Sequence, residues 1–397
     1  MRRSRWFLVA VVSVATMAAT TTTSTAQTED PRPGVYVDEI PSFGDSFVGV
    51  ATGIPVFVGI ATATGAPGTS PLVDSVAAFD EAFTDPSPAM AAAVADFYAV
   101  ASGSVVISPT SSETPEALAA ASAAVPRNDG WDLIVVPALA DLDGEDWLAV
   151  ASAMTAAAAG NQAVAVLDPP TAAVASAATD AGAALTAAAD QLRAGPSGAG
   201  SAVMYSSGLT DATGATRAGA PSVAAVIAAT DDATGPWQPA GGTATPIPDS
   251  TPTLSVDNAL AGTLADSGIN SLRTVQGYGT VAMGDRTVGG GPSSVQRLMS
   301  YLELSIRTGL EQYVFDPNVA TTWQDVTATT SNFLAQVWAA GGLAGDSPAD
   351  AFTVQVGLGT TMTDQDILNG IMILLVQVAV EQPGQFVALS IDQLVQG

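Results

Sequence analysis

The feature that most constrains the fold is the regular apolar periodicity of residues 293–397. Its first segment carries apolar residues at helical spacing, which predicts one helix with a single buried stripe. The stripe consists of Val295, Leu298, Met299, Leu302, Ile306 and Leu310. Glu303 and Arg307 lie off the stripe and four residues apart, so they are predicted to form a surface ion pair. Asp316-Pro317 is predicted to end this segment.

A second helix and three strands complete this region. The helix is predicted to begin at a cap formed by Thr321 or Thr322 and to end at Gly341-Gly342. Its buried residues are predicted to be Trp323, Val326, Phe333, Leu334, Val337 and Trp338. Strands are predicted at residues 352–356, 371–380 and 386–391, the second of them buried on both faces. We therefore expect two helices packed on a small sheet whose last strand has an open edge.

Residues 51–230 alternate short apolar strands with alanine-rich helices. The predicted strands are residues 55–60, 104–108, 132–137, 163–168 and 202–205, and the predicted helices are residues 90–100, 115–124, 147–159 and 171–192. Strands separated by helices of this length form parallel βαβ units. The predicted fold class is therefore α/β, a βαβ-type domain followed by an α+β C-terminal core.

The chain is predicted to divide into five segments. Residues 231–254 are rich in Pro, Gly and Thr and show no apolar period, which predicts a linker. The segments are a signal-like leader at residues 1–26, an N-terminal arm at 27–50, an α/β domain at 51–230, the linker at 231–254, and a C-terminal core with its own terminal arm at 255–397.

The ionisable composition excludes several classes of chemistry. The chain has 38 acidic and 11 basic residues, all of the basic ones Arg, for a net charge of −27. Because His, Cys and Lys do not occur, ordinary zinc sites, Ser-His-Asp triads, thiol nucleophiles and Schiff bases are excluded. The negative charge argues against nucleic acid or an anionic membrane surface as a partner, so no stable membrane association is expected. It also predicts that assembly of many copies depends on salt.

Two acidic motifs have simple structural interpretations. Residues 141–146 resemble a calcium loop but lack the EF-hand spacing and its terminal Glu, which favours a capped turn before a helix. Asp364 and Asp366 fit the paired carboxylates of a glycoside hydrolase less well than a capped turn that begins a short helix. Glycines at 277–279 and 289–291 do not continue as a dinucleotide fingerprint and are predicted to be turns. We therefore expect no catalytic residue, no metal site and no cofactor.

The N-terminus has the layout of a secretory signal peptide. Arg residues precede an apolar run at residues 6–19, and small residues at 24–26 offer a cleavage site before Gln27. The run is shorter than the ~20 residues of a membrane span. A second interpretation is that translation begins at Met17, which would leave a polar arm. Both interpretations stay open.

Short motifs occur along the whole chain in a particular order. They are PGVYVDEIP at residues 33–41, TGPWQPAG at 234–241, INSLR at 269–273, GYGTVAMGDRT at 277–287, residues 297–318, GGL at 341–343, MTDQDI at 362–367 with Gly370, and residues 383–391. Their order resembles the contractile tail sheath family, which sheathes phage tails, R-type bacteriocins and related injection devices. Met283 stands where the family usually has Trp, and both residues are large and apolar.

The resemblance implies a structural subunit and not an enzyme. Copies would form hexameric rings stacked helically around an inner tube protein, with baseplate and terminal cap proteins as further partners. Contraction would drive the tube through a target envelope. The C-terminal core would lie nearest the tube and the α/β domain outside. Such particles assemble in the cytoplasm, whereas the signal-like leader points to export.

The resemblance also implies which residues assemble the sheath. In the family, the arms of different subunits complete one another's sheet. The matching residues here are Val35, Tyr36 and Val37 at one end and Phe386, Val387, Leu389 and Ile391 at the other. An edge strand of its own domain is the alternative for residues 35–37. An acidic chain would meet the tube through local positive charge, for which the candidates are Arg286, Arg297 and Arg307.

Two further functions stay open at the level of sequence. An exported surface or matrix protein that polymerises without contracting would account for the leader. A secreted carboxylate-dependent hydrolase is disfavoured by the missing His and Lys and by the 6% aromatic content.

Overall fold

The computed structural model describes residues 45–396 except 65–71, 127–129, 176–177, 197–198, 381 and 383–384. The chain divides into two compact units, Met1–Ser42 and Phe43–Gly397, and all described residues belong to the second. The predicted leader and the predicted strand at residues 33–41 lie outside the described residues. The N-terminal arm is described only from Asp45 onward.

The described secondary structure alternates strands and helices up to Met283. The strands are β1 (Pro55–Ile60), β2 (Thr62–Ala63), β3 (Leu72–Val73), β4 (Phe83–Thr84), β5 (Val105–Thr110), β6 (Leu133–Val135), β7 (Val164–Leu167), β8 (Ala202–Tyr205), β9 (Leu209–Asp211), β10 (Thr216–Arg217), β11 (Ser250–Pro252), β12 (Ile269–Val275), β13 (Gly279–Met283), β14 (Phe352–Val356), β15 (Ile371–Ala379) and β16 (Phe386–Leu394). The helices are α1 (Val76–Ala82), α2 (Pro88–Tyr98), α3 (Pro115–Ala124), α4 (Gly144–Gly160), α5 (Thr171–Ala175), α6 (Ala178–Arg193), α7 (Ala220–Thr234), α8 (Asn258–Asp266), α9 (Ser293–Leu310), α10 (Ala320–Ala339), α11 (Pro348–Ala351) and α12 (Asp364–Leu368). Short 3-10 helices lie at Pro137–Asp141, Gly242–Ala244 and Glu311–Tyr313.

Local sequence signals set several helix starts. Ser87 and Thr114 precede Pro88 and Pro115, which occupy the first turns of α2 and α3. The Ser87 hydroxyl accepts a hydrogen bond from the Met90 N–H at 3.1 Å, as expected of an N-cap residue. Both helices therefore begin at a proline that follows an N-cap residue, close to the positions that the sequence predicts.

A large mixed sheet forms the centre of the fold, and its strand order is β13-β12-β8-β7-β6-β1-β5-β3. The six strands from β12 to β5 are parallel, and an antiparallel strand lies at each edge. Helices α3, α4, α6 and α8 cover one face and α1, α2 and α7 cover the other. The inner strands are buried on both faces, which explains their continuous apolar composition. The predicted parallel α/β fold is confirmed.

The large sheet continues beyond the predicted linker. β12 pairs in parallel with β8, and β13 pairs antiparallel with β12, although both strands lie within residues 255–397. Residues 231–254 contain the end of α7, a 3-10 helix and β11, which pairs with β9. The change of sheet therefore occurs between β13 and α9, and the division of the chain into domains at residue 254 stays a prediction.

The C-terminal core consists of α9 and α10 packed on the antiparallel sheet β14-β15-β16. Four residues of the predicted α9 stripe are buried, and Val295 and Met299 are half-buried. In α10, Trp323 and Trp338 are half-buried and the other four predicted residues are buried. The predicted arrangement of two helices on a small sheet is confirmed.

Two local predictions for this core are wrong. Val319, not a threonine, occupies the N-cap position of α10, and the Thr322 hydroxyl donates instead to the Pro317 carbonyl at 2.8 Å. β15 alternates buried and half-buried residues rather than being buried on both faces, because helices cover only one face of this sheet within the described chain. No helix among the described residues has the length and apolar content needed to cross a membrane.

Candidate assembly interface

The small sheet ends in a strand with an unpaired edge. β16 pairs antiparallel with β15 along its whole length, from Phe386 opposite Ala379 to Leu394 opposite Ile371. On the other side of β16 no described strand is paired, and a bridge between Gln396 and Pro317 lies just beyond its end. The predicted open edge therefore exists in the described part of the chain. Its free main-chain groups can pair with a strand from another molecule.

The predicted exchange residues of β16 differ in exposure. Phe386 and Val387 are 41% and 39% exposed, whereas Leu389 is half-buried against the core and Ile391 is fully buried in it. Ile391 therefore stabilises the subunit through its side chain and can contribute only main-chain atoms to an exchange. Val35, Tyr36 and Val37 lie outside the described residues.

The start of the described chain lies beside α9 and α10. The Phe47 ring packs so closely on Gly309 that a Cβ there would come within 2.3 Å of it. The Val50 N–H donates to Ser305 Oγ at 3.0 Å, and the Asn332 side chain donates to the Asp45 carbonyl at 3.0 Å. The two helices that cover the small sheet thus also hold the base of the N-terminal arm.

Arg297 joins the C-terminal core to the α/β part. Its guanidinium forms an ion pair with Asp231 near the end of α7 and donates to the carbonyl of Gln238. The side chains of Arg297 and Asp231 are 3% and 0% exposed. Arg297 was a candidate for tube contact, but its burial within the subunit removes it from that set. The helical spacing correctly predicts that Arg297 lies off the apolar stripe, but it does not indicate that Asp231 is its partner.

A second carboxylate, that of the half-buried Asp132, lies beside this ion pair. Both Asp132 oxygens accept main-chain hydrogen bonds, from Gly53 at 2.8 Å and from Ile54 at 2.6 Å. Burial and the nearby Asp231 charge raise the pKa of Asp132 to about 7, against the opposing effect of these bonds and of Arg297. Burial likewise raises the pKa of Asp231, although Arg297 acts in the opposite direction. The junction therefore concentrates charge where water is scarce.

Several motifs that suggested the sheath family make close contacts with one another in the structure. The side chain of Asn270 accepts from the Arg286 N–H at 2.9 Å and donates to its carbonyl at 2.8 Å. A Cβ on Gly284, whose φ is 120°, would lie 2.3 Å from the Asn270 side chain. Gly342 packs against the Trp237 ring. The Asn270 contacts therefore hold the residues after β13 against β12, and the Gly342 contact packs the C-terminal core against the segment after α7.

Asp285 holds the start of α9. Its carboxylate accepts the Ser294 N–H at 2.8 Å and the hydroxyls of Ser293 and Ser294. Pro292 occupies the N-cap position and has no side-chain acceptor of its own, so Asp285 caps the helix from a distance. This contact fixes the first turn of α9, which carries Arg297.

The other two tube-contact candidates are at the surface. Arg286 is exposed and donates to the Gly290 carbonyl at 3.2 Å. Arg307 is exposed and bonds Glu303 at 2.8 Å, which confirms the predicted surface ion pair. Their role at a tube stays a prediction.

An exposed apolar patch lies at the end of β16, and no pattern in the sequence predicted it. Phe315 and Leu368 are 85% and 77% exposed, and Val319 and Leu394 are also exposed. The Val395 N–H donates to the Gly370 carbonyl and the Gln396 N–H to the Asp316 carbonyl, which brings these segments together. We call these four residues the end patch. Only tertiary pairing assembles it, since its members come from three separate segments.

Of the two acidic motifs, the one at residues 364–366 forms the predicted capped turn, whereas Asp143 occupies the N-cap position of α4 without a capping hydrogen bond from its side chain. Thr363 and Asp366 form a capping box at the start of α12, with the Thr363 N–H bonded to the Asp366 carboxylate at 2.8 Å. Asp143 precedes α4, and its carboxylate accepts from the Ala172 N–H at 2.6 Å. The described residues contain no group of three or more acidic side chains placed to hold a metal ion.

Solved structures resemble this chain over nearly its whole length. The sheath of PVC, an extracellular contractile injection system in its contracted state, is 26% identical, with a TM-score of 0.67 over 91% of this chain and 98% of that chain. The chain has the fold of a contractile sheath subunit. The helical sheath of the anti-feeding prophage, also contracted, gives 24% identity and a TM-score of 0.64 over 90% of this chain and 98% of that one. A sheath tail protein from Desulfitobacterium hafniense is 10% identical, with a TM-score of 0.59 over 91% of this chain and 100% of that one. This match shows a likeness of fold alone.

The family resemblance is therefore confirmed by structure, and the role is that of a structural sheath subunit. No protein-family model and no curated protein sequence matches the chain. The structural neighbours are components of sheath and baseplate assemblies of tail-like particles.

Proposed function

We propose that this sheath subunit polymerises around an inner tube and contracts to drive the tube through a target envelope. The similarity to the contracted PVC sheath over 91% of the chain supports the proposal most directly. Helically stacked hexameric rings, a baseplate, a terminal cap and cytoplasmic assembly are parts of the same proposal. The subunit acts mechanically and not as an enzyme, because energy is stored when the sheath assembles.

Strand exchange through β16 is the proposed link between subunits. β16 presents a nine-residue edge, and the base of the N-terminal arm is held by the helices that cover the same sheet. An arm strand at residues 35–37 of one subunit would pair with this edge in another. Main-chain hydrogen bonds then supply strength while the residues between arm and core permit rotation.

The junction around Arg297 supports movement of the subunit as one body. The ion pair with Asp231 joins α9 to α7, and Asp132 holds the segment at residues 53–54 against the large sheet. Buried, bonded charges resist sliding because displacement would leave one of them unpaired. Contraction would therefore change contacts between subunits more than those within them. The proposed arrangement keeps the C-terminal core nearest the tube, with Arg286 and Arg307 as tube contacts, and the α/β domain outside.

Electron microscopy of the purified protein tests the assembly role. Tubes or stacked rings are expected. Two-dimensional lattices would favour an exported surface protein, and monodisperse monomers would contradict polymerisation. N-terminal sequencing of the native protein resolves the leader, since a start at Gln27 indicates processing and a start at Met17 or Ala18 a different initiation site.

Deletion of residues 33–40 tests strand exchange. We expect loss of tubes while the circular dichroism and melting temperature of the subunit stay unchanged. A matched variant replaces the same residues with an equally long Gly-Ser segment, which keeps the length of the arm and removes its strand character. Both variants should fail to polymerise, and normal tubes from the Gly-Ser variant would refute the exchange role.

A further inference from the structure

The end patch has an acidic rim. Asp364 lies four residues before Leu368 on α12, so the two residues lie on the same side of that helix. Asp392 lies two residues before Leu394 on β16, which places both on the same face of the small sheet. Both aspartates are exposed. An exposed apolar cluster surrounded by polar residues is the usual composition of a protein-binding surface.

The rim has no compensating cation nearby in the sequence. Residues 308–397 contain nine acidic residues and no basic one. A partner that covers the end patch would therefore have to supply positive charge, because a carboxylate that is buried without a partner is costly. Two copies that met patch to patch would instead bring like charges together. The charge of the rim thus favours a different surface, one that is both apolar and cationic.

The hairpin formed by β12 and β13 presents such a surface. Its turn carries the exposed ring of Tyr278 between two glycines with positive φ. Arg273 lies within the last three residues of β12, and its guanidinium donates to the Asn258 side chain at 2.8 Å. Among the arginines that the structure describes, Arg273 and Arg286 form no ion pair with a carboxylate. The hairpin therefore combines an exposed aromatic ring with an uncompensated cation.

We propose that the end patch of one subunit binds the β12–β13 hairpin of a second copy of this chain. Tyr278 would pack on Phe315 and Leu368, and Arg273 would pair with an aspartate of the rim. Tyrosine and arginine are among the residues that contribute most to binding at protein interfaces. The inference rests on the proposed function, since it assigns a second link between sheath subunits beside strand exchange.

The contact is heterologous because the two surfaces differ. Each subunit then carries one patch and one hairpin, and a chain of copies always ends with one of each free. Heterologous contacts build closed rings or open helical polymers, depending on the rotation between neighbours. This kind of contact suits an assembly that grows by addition of identical subunits.

Sedimentation of the full-length protein tests the contact. Leu368→Ser and Tyr278→Ser each remove an apolar side chain from it and should raise the concentration at which polymer forms by about tenfold. Arg273→Glu should have the same effect, because it places a carboxylate against the acidic rim. Leu72→Ser is the matched control: Leu72 is 56% exposed, close to the 55% of Tyr278, and lies on β3 at the opposite edge of the large sheet from β13.

The outcomes separate this contact from the sheath role. The control should polymerise like the parent protein. Parent-like polymer from Leu368→Ser or from Tyr278→Ser would overturn the proposal and leave the sheath role intact. A parent protein that never polymerises would contradict the sheath role and this contact with it.

Cysteine cross-linking identifies which surfaces meet, because the chain has no Cys of its own. An equimolar polymer of Leu368→Cys and Tyr278→Cys subunits, treated with a bismaleimide, should yield pairs that contain one of each variant, as identified by mass. Neither variant alone should yield pairs. Pairs from Leu368→Cys alone would show that the patch meets itself, and a polymer without mixed pairs would show that patch and hairpin do not meet. Either result would refute the assignment.

Discussion

The buried ion pair at the junction yields a prediction with a defined magnitude. Replacing Arg297 with Met removes the charge and keeps an unbranched apolar chain of comparable length. Asp231 would then be buried without its cation and beside Asp132. Breaking a buried pair in this way typically costs about 3–5 kcal/mol. The Gln238 carbonyl also loses a donor, but Gln238 is exposed, so water can replace that bond and no further cost is added.

The double variant Arg297→Met, Asp231→Leu separates the charge effect from packing. Replacing both partners of a buried pair with apolar residues is often neutral or stabilising, so most of the lost stability should return. The two substitutions should therefore be strongly non-additive. Urea unfolding followed by tryptophan fluorescence, extrapolated linearly to water, measures the free energy of unfolding of each variant.

Arg307→Met is the matched control. It removes a guanidinium from the same helix, but its pair with Glu303 is at the surface, and exposed pairs four residues apart contribute about 0.3–0.5 kcal/mol. If Arg297→Met destabilises the subunit no more than Arg307→Met does, or if the two junction substitutions are additive, the junction does not depend on this ion pair.

Three more predictions follow from charge and packing. The yield of tubes, measured by sedimentation, should rise as salt increases from about 0.1 M to 1 M. Over this range the Debye length falls from about 10 Å to 3 Å, so salt screens the repulsion between subunits that each carry −27. Tubes that form only at low salt would contradict this prediction. Burial raises the pKa of Asp168 from its ordinary value of 3.8 to about 7, so between these pH values the folded state holds a proton that the unfolded state has lost. Stability should therefore fall as pH rises from about 4 to 7, by up to about 4 kcal/mol for this group. Asp168→Asn should flatten that slope in urea titrations at several pH values, and an unchanged slope would show that Asp168 does not cause it. Gly309→Ala should displace the Phe47 ring and expose residues 45–54 to limited proteolysis. Gly262→Ala is the control, because a Cβ there meets open space. Equal cleavage of the two variants would show that the Phe47–Gly309 contact does not hold these residues.

Periodic features of the sequence predicted the elements well. The α9 stripe and the βαβ alternation depend on local spacing, and the structure contains both. Contacts between distant residues could not be read in this way. Arg297 and Asp231 are 66 residues apart, and helical spacing says only that Arg297 lies off the apolar stripe. Its burial follows from packing between the two sheets.

The local sequence pattern also could not predict to which sheet a strand belongs. β12 and β13 lie after a Pro/Gly-rich segment and yet extend the large sheet, because pairing with β8 depends on topology and not on position in the sequence. The end patch is likewise assembled by tertiary pairing, since the ends of β16 and of two loops come together there. The half-exposed face of β15 could not be told from a buried one, since all of its first six residues are apolar. The role of the short motifs could be predicted only from their resemblance to a family, because periodicity and composition do not indicate it.

The open edge of β16 has a consequence for the unassembled protein. A nine-residue edge with Phe386 and Val387 exposed would, in an ordinary soluble protein, be blocked by Lys or Pro to prevent aggregation. No described residue of β16 is either of these, and Asp392 is the one acidic residue in the strand. Electrostatic repulsion between subunits that each carry −27 is then the main force that opposes premature strand pairing. The same acidity that makes growth of the polymer depend on counterions would thus set the lag before a pool of free subunits begins to nucleate.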